Sequence, residues 1–243
     1  MVFIFRLIFV VITGIILCVF GVIFCLFNPR NPKNVARFAH LFSLLFQPVF
    51  GVKVTTRPYS KISNMGSCVY IANHQNNFDL VVAADIVQPK TVTVGKKSLA
   101  WIPFFGQLYY LTGNILIDRN NKSKARDTIE QVVREIQNRG ISIWMFPEGT
   151  RSRGRGLLPF KMGAFKAAIA AGVPIVPICV SETTNIKLNR INNGHMIVEM
   201  LDPIETKNLH KEDAKALMEQ CYAQMSNKIA EINAEVQQLN SQK

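Results

Sequence analysis

Residues 73 to 79 read N-H-Q-N-N-F-D, a histidine followed five positions later by an aspartate. An imidazole with one nitrogen held by a carboxylate keeps the other available as a base, which makes His74 and Asp79 a candidate proton-transfer pair. On one continuous helix, positions five apart differ by about 140° and the two side chains would not meet. They can meet if a strand ends near Asn73, Q-N-N forms a polar loop, and a helix opens around Phe78. Such a pair would activate a nucleophile brought by the substrate. A plainer alternative stays open on composition alone: His74 satisfies a loop hydrogen bond and Asp79 caps the helix.

A second cluster, W-M-F-P-E-G-T-R-S-R-G-R-G, spans residues 144 to 156. Gly149, Gly154 and Gly156 let the backbone turn its N–H groups outward, while Arg151, Arg153 and Arg155 carry forked donors that match phosphate. The pattern suits an anion site, with a merely solvated basic loop as the alternative. It is not a Walker loop, which needs G-x-x-x-x-G-K-[ST], and it lacks dinucleotide spacing. A third stretch, from Gly95 to Arg119, begins with Lys96 and Lys97, continues through five aromatic residues (Trp101, Phe104, Phe105, Tyr109, Tyr110), and ends in a strand and Arg119. An apolar wall with cations at both ends would suit a phosphorylated amphiphile, although an aromatic stripe is more often plain core.

These residues need a scaffold, and the chain after Gly51 alternates short β-branched runs with helical patterns, as an α/β sheet does. Candidate strands are 52–55, 67–72, 91–94, 115–118, 141–146, 174–180 and 196–201, with helices over 78–87, 122–138 and 160–171. Leu217, Met218, Cys221, Met225, Ile229, Ile232, Val236 and Leu239 recur at helical spacing over 213–239 and predict an amphipathic helix packed on the sheet. Both polar clusters would then follow apolar strands, at the strand ends where open α/β sheets place ligands.

The first 50 residues have another texture. Leu7 to Asn28 carries no charge over 22 residues, enough to cross a hydrocarbon core of roughly 30 Å. A signal peptide fits poorly, because the apolar run is too long and ends in N-P-R-N-P rather than at a small-residue cleavage site. Asn31-Pro32 opens a second, one-sided helix that Pro48 is expected to stop. Residues 1–50 therefore predict a membrane-associated helical hairpin, favoured here as one that dips into a single leaflet, and 51–243 the α/β domain. Seven basic residues precede Asp79, the first carboxylate. That order fits a segment entering or lying on an anionic membrane, where acidic side chains are repelled or costly to bury.

Of the 243 residues, 28 are Lys or Arg against 16 Asp or Glu, a net charge of +12. Beside an apolar N-terminus this favours a membrane surface over nucleic acid, for which no zinc knuckle, basic zipper or RNA-binding signature is present. The lysine and arginines after residue 28 put the following chain in the cytoplasm by the positive-inside bias. Five scattered cysteines agree with a reducing compartment, and the four histidines (40, 74, 195, 210) lack metal-ligand spacing, so no metal is expected.

In this order the motifs resemble the glycerolipid acyltransferase family. Its four blocks match N-H-Q-N-N-F-D, G-N-I-L-I-D-R, F-P-E-G-T-R-S and V-P-I-V-P-I, within residues 73 to 178. The resemblance implies a mixed sheet of about seven strands flanked by helices, and transfer of an acyl group from acyl-CoA or acyl-ACP to the sn-2 hydroxyl of lysophosphatidate, giving phosphatidate. His74 would be the base and Asp79 its orienter. Arg151, with Lys96, Lys97 and Arg119, would hold the acceptor's phosphate. Glu148 would belong to the acceptor site, contacting a hydroxyl or orienting Arg151, while Gly149 and Thr150 shape the loop. No cofactor beyond the thioester co-substrate is implied, and the partners are membrane phospholipids, lysophosphatidate and the acyl donor at the cytoplasmic face of a bacterial inner membrane. The chain departs from the K-x-E-L found in many relatives, carrying Ser98 at the acidic position. Two rivals stay open: a sister enzyme acylating glycerol-3-phosphate or another lysolipid, and a non-catalytic membrane phospholipid-binding protein.

Overall fold

V-Y-I-A, residues 69 to 72, has no polar position along a β-branched and aromatic run, and such strands are stable only with both faces covered. In the computed structural model, which describes residues 2–117 and 125–242, this run is β2 (Val69–Ala72) at the centre of a seven-stranded sheet. The other strands are β1 (Val52–Arg57), β3 (Thr91–Lys96), β4 (Ile115–Ile117), β5 (Ser142–Met145), β6 (Ile175–Val180) and β7 (Gly194–Met200). Their spatial order is β1-β7-β6-β2-β5-β3-β4, with every neighbouring pair parallel except β6 and β7. The sheet is therefore mixed, with seven strands, as the family resemblance implied.

Alternation along β2 divides two cores. Val69 and Ile71 pack with Val132 and Ile136 of α5 (Ala125–Arg139), Phe165 and Ala168 of α6 (Gly163–Ala171), and Leu217, Met225 and Ile232 of α7 (Ala214–Ser241). Tyr70 and Ala72 face Phe46 of α2 (Lys33–Phe50), Val82 of α3 (Asp79–Val82), and Trp144. The helical spacing in 213–239 thus marks a face that lies on the sheet, not a free amphipathic surface.

Two local readings differ. Pro48 does not stop α2, which runs on to Phe50. The proline forfeits one bond to the carbonyl four residues back, but Phe46 and Phe50 are buried and hold the last turn. The helix ends at Gly51, whose φ of +61° and close approach to the Ile191 carbonyl admit no side chain. The aromatic stretch, for which no helix is named from the sequence, forms a 3-10 turn at Lys97–Trp101 and α4 (Phe105–Leu111). Its residues are apolar almost all round, so no helical stripe stands out. Position 118 of the expected fourth strand, and positions 122–124 of the following helix, lie outside the described residues.

α1 (Val2–Leu26) is not a detached rod. Gly21 lets it close on Leu108 of α4 and Phe38 of α2, since a Cβ there would lie 2.6 Å from Leu108. Asn34 donates to Cys25 Sγ at 3.4 Å, and the Arg30 N–H donates to the Leu111 carbonyl at 2.7 Å. At the other end Arg6 is buried, and its guanidinium donates to the carbonyls of Leu188, Arg190 and Ile191 in the β6–β7 connection. Most of the remaining α1 surface is exposed and apolar.

Candidate active site

β2 ends at Ala72, and the polar residues that follow are consumed in building a turn. Asn73 bridges to β6, donating to the Val180 carbonyl at 2.9 Å and accepting the Val180 N–H at 2.8 Å. Gln75 donates to the Ser181 carbonyl at 2.8 Å and accepts the Thr183 N–H at 3.0 Å. Asn76 accepts the Phe78 N–H at 2.8 Å, the side-chain-closed turn that lets a helix start. The amides that looked like ordinary loop composition are therefore structural ties.

The turn brings His74 and Asp79 together. His74 Nδ1 lies 2.7 Å from Asp79 Oδ2, and the same oxygen accepts the backbone N–H of Gln75 at 2.7 Å and of Asn76 at 3.1 Å. Asp79, 3% exposed, is the first residue of α3. Carboxylate partners fix Nδ1 as the protonated nitrogen of a neutral imidazole, leaving Nε2 with its lone pair. The reading that kept the two residues in separate roles is set aside: one carboxylate both opens the helix and holds the ring. Phe146, just past β5, stacks on the imidazole with ring centres 4.0 Å apart and planes 17° apart.

The basic loop is zipped to this turn. Ser152 N–H donates to the His74 carbonyl at 2.8 Å, and Arg153 N–H to the Gln75 carbonyl at 3.0 Å. Glu148, 2% exposed, lies beneath both loops. Its two oxygens accept the backbone N–H of His74 at 2.6 Å and of Leu158 at 3.0 Å. Among the described residues its hydrogen bonds go to these two amides and not to Arg151, so the expectation that it orients Arg151 gives way to a role under the loops. Burial pushes the Glu148 carboxyl above its ordinary value, against the opposing effect of the two N–H donors.

Arg151 is exposed, and its backbone carbonyl accepts from Arg155 at 3.3 Å. Gly149, Gly154 and Gly156 all have positive φ, and Thr150 lies between Gly149 and Arg151 in the loop. Lys161, which the sequence reading passed over, lies beside Gly149: a Cβ on that glycine would be 2.8 Å from its Nζ. Lys96 and Lys97 are exposed at the C-terminal end of β3, whose Thr93 pairs with Trp144 of β5. His74, Phe146 and these lysines thus all lie at or just past the C-terminal ends of neighbouring parallel strands, the ligand edge of an α/β sheet. Arg119 lies outside the described residues.

A family model described as Acyltransferase matches residues 53–181, a span that encloses all four blocks. The chain belongs to this acyltransferase family. It is similar to the 1-acyl-sn-glycerol-3-phosphate acyltransferase of Salmonella typhimurium, 63% identical over 97% of this chain and 96% of that relative. The Escherichia coli protein of the same name is 62% identical over the same shares. The crystal structure of the 1-acyl-sn-glycerophosphate acyltransferase from Thermotoga maritima matches with a TM-score of 0.74, covering 94% of this chain and 95% of that one at 22% identity. That likeness shows the fold. Within this acyltransferase, Phe146 and Lys161 are the neighbours of the site that sequence reasoning missed. Phe146 ends an expected strand and Lys161 falls in the first turn of the helix expected over 160–171, and neither position carries a spacing signal of its own.

Proposed function

We propose that this acyltransferase moves an acyl group from a thioester to the sn-2 hydroxyl of 1-acyl-sn-glycerol-3-phosphate, forming phosphatidate. The observation that carries the reading is the buried Asp79 carboxylate 2.7 Å from His74 Nδ1, at a strand end zipped to a basic loop. The names of the full-length relatives at 62–63% identity support the acceptor. Nε2 takes the hydroxyl proton as the oxygen attacks the thioester carbonyl. The new C–O bond forms, the C–S bond breaks, and the thiolate leaves with the proton that the imidazolium held. Such base assistance contributes about 10² to 10⁴ in rate. Asp79 holds the ring and stabilises its charged form.

No acyl-enzyme is required, because the thioester is already activated and the acceptor brings its own oxygen. Cys68, the nearest thiol in sequence, is buried in the strand region and burial pushes its pKa up, which suits an inert core thiol. Arg151, Lys96, Lys97 and Arg119 bind the acceptor's phosphate, each charge-assisted bond contributing about 1.5 to 3 kcal/mol. The donor is acyl-CoA or acyl-ACP, both anionic and both suited to a basic surface.

α1 lies in the cytoplasmic leaflet of the inner membrane, its outer face among the acyl chains. A helix tied to the α/β body at Arg6 and again at Gly21 and Arg30 cannot stand across a bilayer without drawing polar loops into hydrocarbon. Lying flat, it holds the site where its lipid substrates reside.

The test is to incubate membranes containing the protein with labelled acyl thioester and a panel of acceptors: lysophosphatidate, glycerol-3-phosphate and other lysolipids. Label should enter phosphatidate, and His74→Ala should abolish its formation while membrane association is kept. Transfer to another acceptor in preference, or near-normal transfer by the variant, would defeat the reading.

A further inference from the structure

The turn between the 3-10 segment and α4 presents exposed apolar side chains outside the residues given a catalytic or phosphate-binding role. Trp101 is 85% exposed, whereas Trp144, the other tryptophan, is 4% exposed. Ile102 and Phe104 are also exposed. The turn is held in place: Ile102 N–H donates to the Leu99 carbonyl at 3.1 Å, and Gly106 N–H to the Ile102 carbonyl at 2.8 Å. At its tip the Phe105 N–H donates to the Pro103 carbonyl at 2.7 Å, across Phe104 at φ +63° and ψ −47°. That is a γ-turn, a conformation side-chain-bearing residues adopt only under strain. A strained turn that fixes three large apolar side chains outward needs an apolar occupant.

Its position identifies the occupant. α4 lies against α1 through Leu108 and Gly21, so the turn that enters α4 flanks the helix whose outer face is apolar. Tyr110 continues the surface, half-exposed, with the Arg30 guanidinium 5.3 Å from its ring centre. Lys96 and Lys97 stand exposed at the start of the same segment. Cations beside an aromatic and apolar tip match the headgroup, interface and acyl layers of an anionic membrane.

We propose that the turn Trp101–Phe104 inserts into the membrane beside α1 and forms a second, off-axis anchor. The proposal rests on the reading that α1 lies flat in the interface. A body hung from one helix can roll about that helix's axis. A second contact to one side removes the roll and fixes which edge of the sheet faces the lipid.

Intrinsic tryptophan fluorescence tests it on the full chain. The protein is reconstituted with phosphatidylethanolamine and phosphatidylglycerol vesicles, with and without lipids brominated on the acyl chains near the headgroup. Wild-type emission should be quenched by the brominated lipid, and Trp101→Phe should lose most of that quenching, because Trp144 is buried. A second variant, Phe5→Trp in the Trp101→Phe background, reports on α1. If that α1 reporter is quenched while wild type and Trp101→Phe respond alike, the second anchor is overturned while α1 itself stays in the lipid. If neither position is quenched, both readings fall.

Discussion

Asp79 has three hydrogen-bond donors on one oxygen, His74 Nδ1 and the N–H groups of Gln75 and Asn76. Replacing it with Asn keeps the shape and one oxygen able to face the three donors, but it removes the negative charge beside the ring. Asp79→Asn should therefore lower kcat by about 10² or more, since the imidazolium formed as Nε2 takes the proton loses its counter-charge. Steady-state rates with an unchanged melting temperature would separate this from unfolding, and a near-normal kcat would refute it. Glu148 makes a prediction of opposite kind. Its raised pKa means the folded chain holds the proton more tightly, so this group's contribution to stability is full below its unfolded pKa of about 4.3 and is lost as pH rises through the elevated folded value. Glu148→Gln removes that slope, and urea midpoints measured across the acid range should show wild type losing ground to the variant as pH rises. A difference that stays flat with pH would contradict the burial argument. The pairing of His74 with Asp79 was legible as one of two readings, because residues five apart meet across a turn and not on one continuous helix, and nothing in the residues alone required that they meet. Glu148 was singled out by the family resemblance, but its bond to the His74 N–H was not readable, because that N–H lies 74 positions upstream and only the fold brings it near.

At the scale of elements, the loop after β5 does its work through backbone shape. Gly149 has φ +70°, and the space where a Cβ would go is closed by the Lys161 side chain. Gly149→Ala should cost about 1 to 2 kcal/mol from the left-handed backbone alone, visible in the urea midpoint. It should also raise KM for the phosphorylated acceptor by displacing Lys161. A variant with wild-type stability and KM would show that the loop tolerates another conformation. The seven strands were readable because β-branched runs alternate with helical stripes, and the helix over 213–239 because its apolar positions repeat at three and four. α4 was not, since an element apolar on nearly every side has no stripe to detect. Nor was the extension of α2 past Pro48, which depends on Phe46 and Phe50 finding a core formed by distant strands.

The whole molecule turns on Arg6, a charged residue in the first turns of an apolar helix. From sequence it counts only as one flanking cation. In the fold it is buried and donates to three carbonyls of the connection between β6 and β7. That connection also carries Thr183, whose N–H is accepted by Gln75 and whose hydroxyl is 2.9 Å from the Asn76 amide. The start of the membrane helix and the turn that positions His74 are thus joined through one loop. Arg6→Ala removes the guanidinium from three part-buried carbonyls, of which that of Arg190 keeps a bond from the Asn193 side-chain amide at 3.2 Å, and a buried polar group left unsatisfied costs about 1 to 3 kcal/mol. The apolar face of α1 is untouched, so the variant should still sediment with vesicles. Proteolysis should now cut the 184–193 connection faster, and kcat should fall more than KM rises. Arg6→Lys, with one ammonium in place of a fork, should recover only part of the loss. Wild-type protease resistance in Arg6→Ala would mean that α1 and the α/β body are joined by packing at Gly21 and α4 alone.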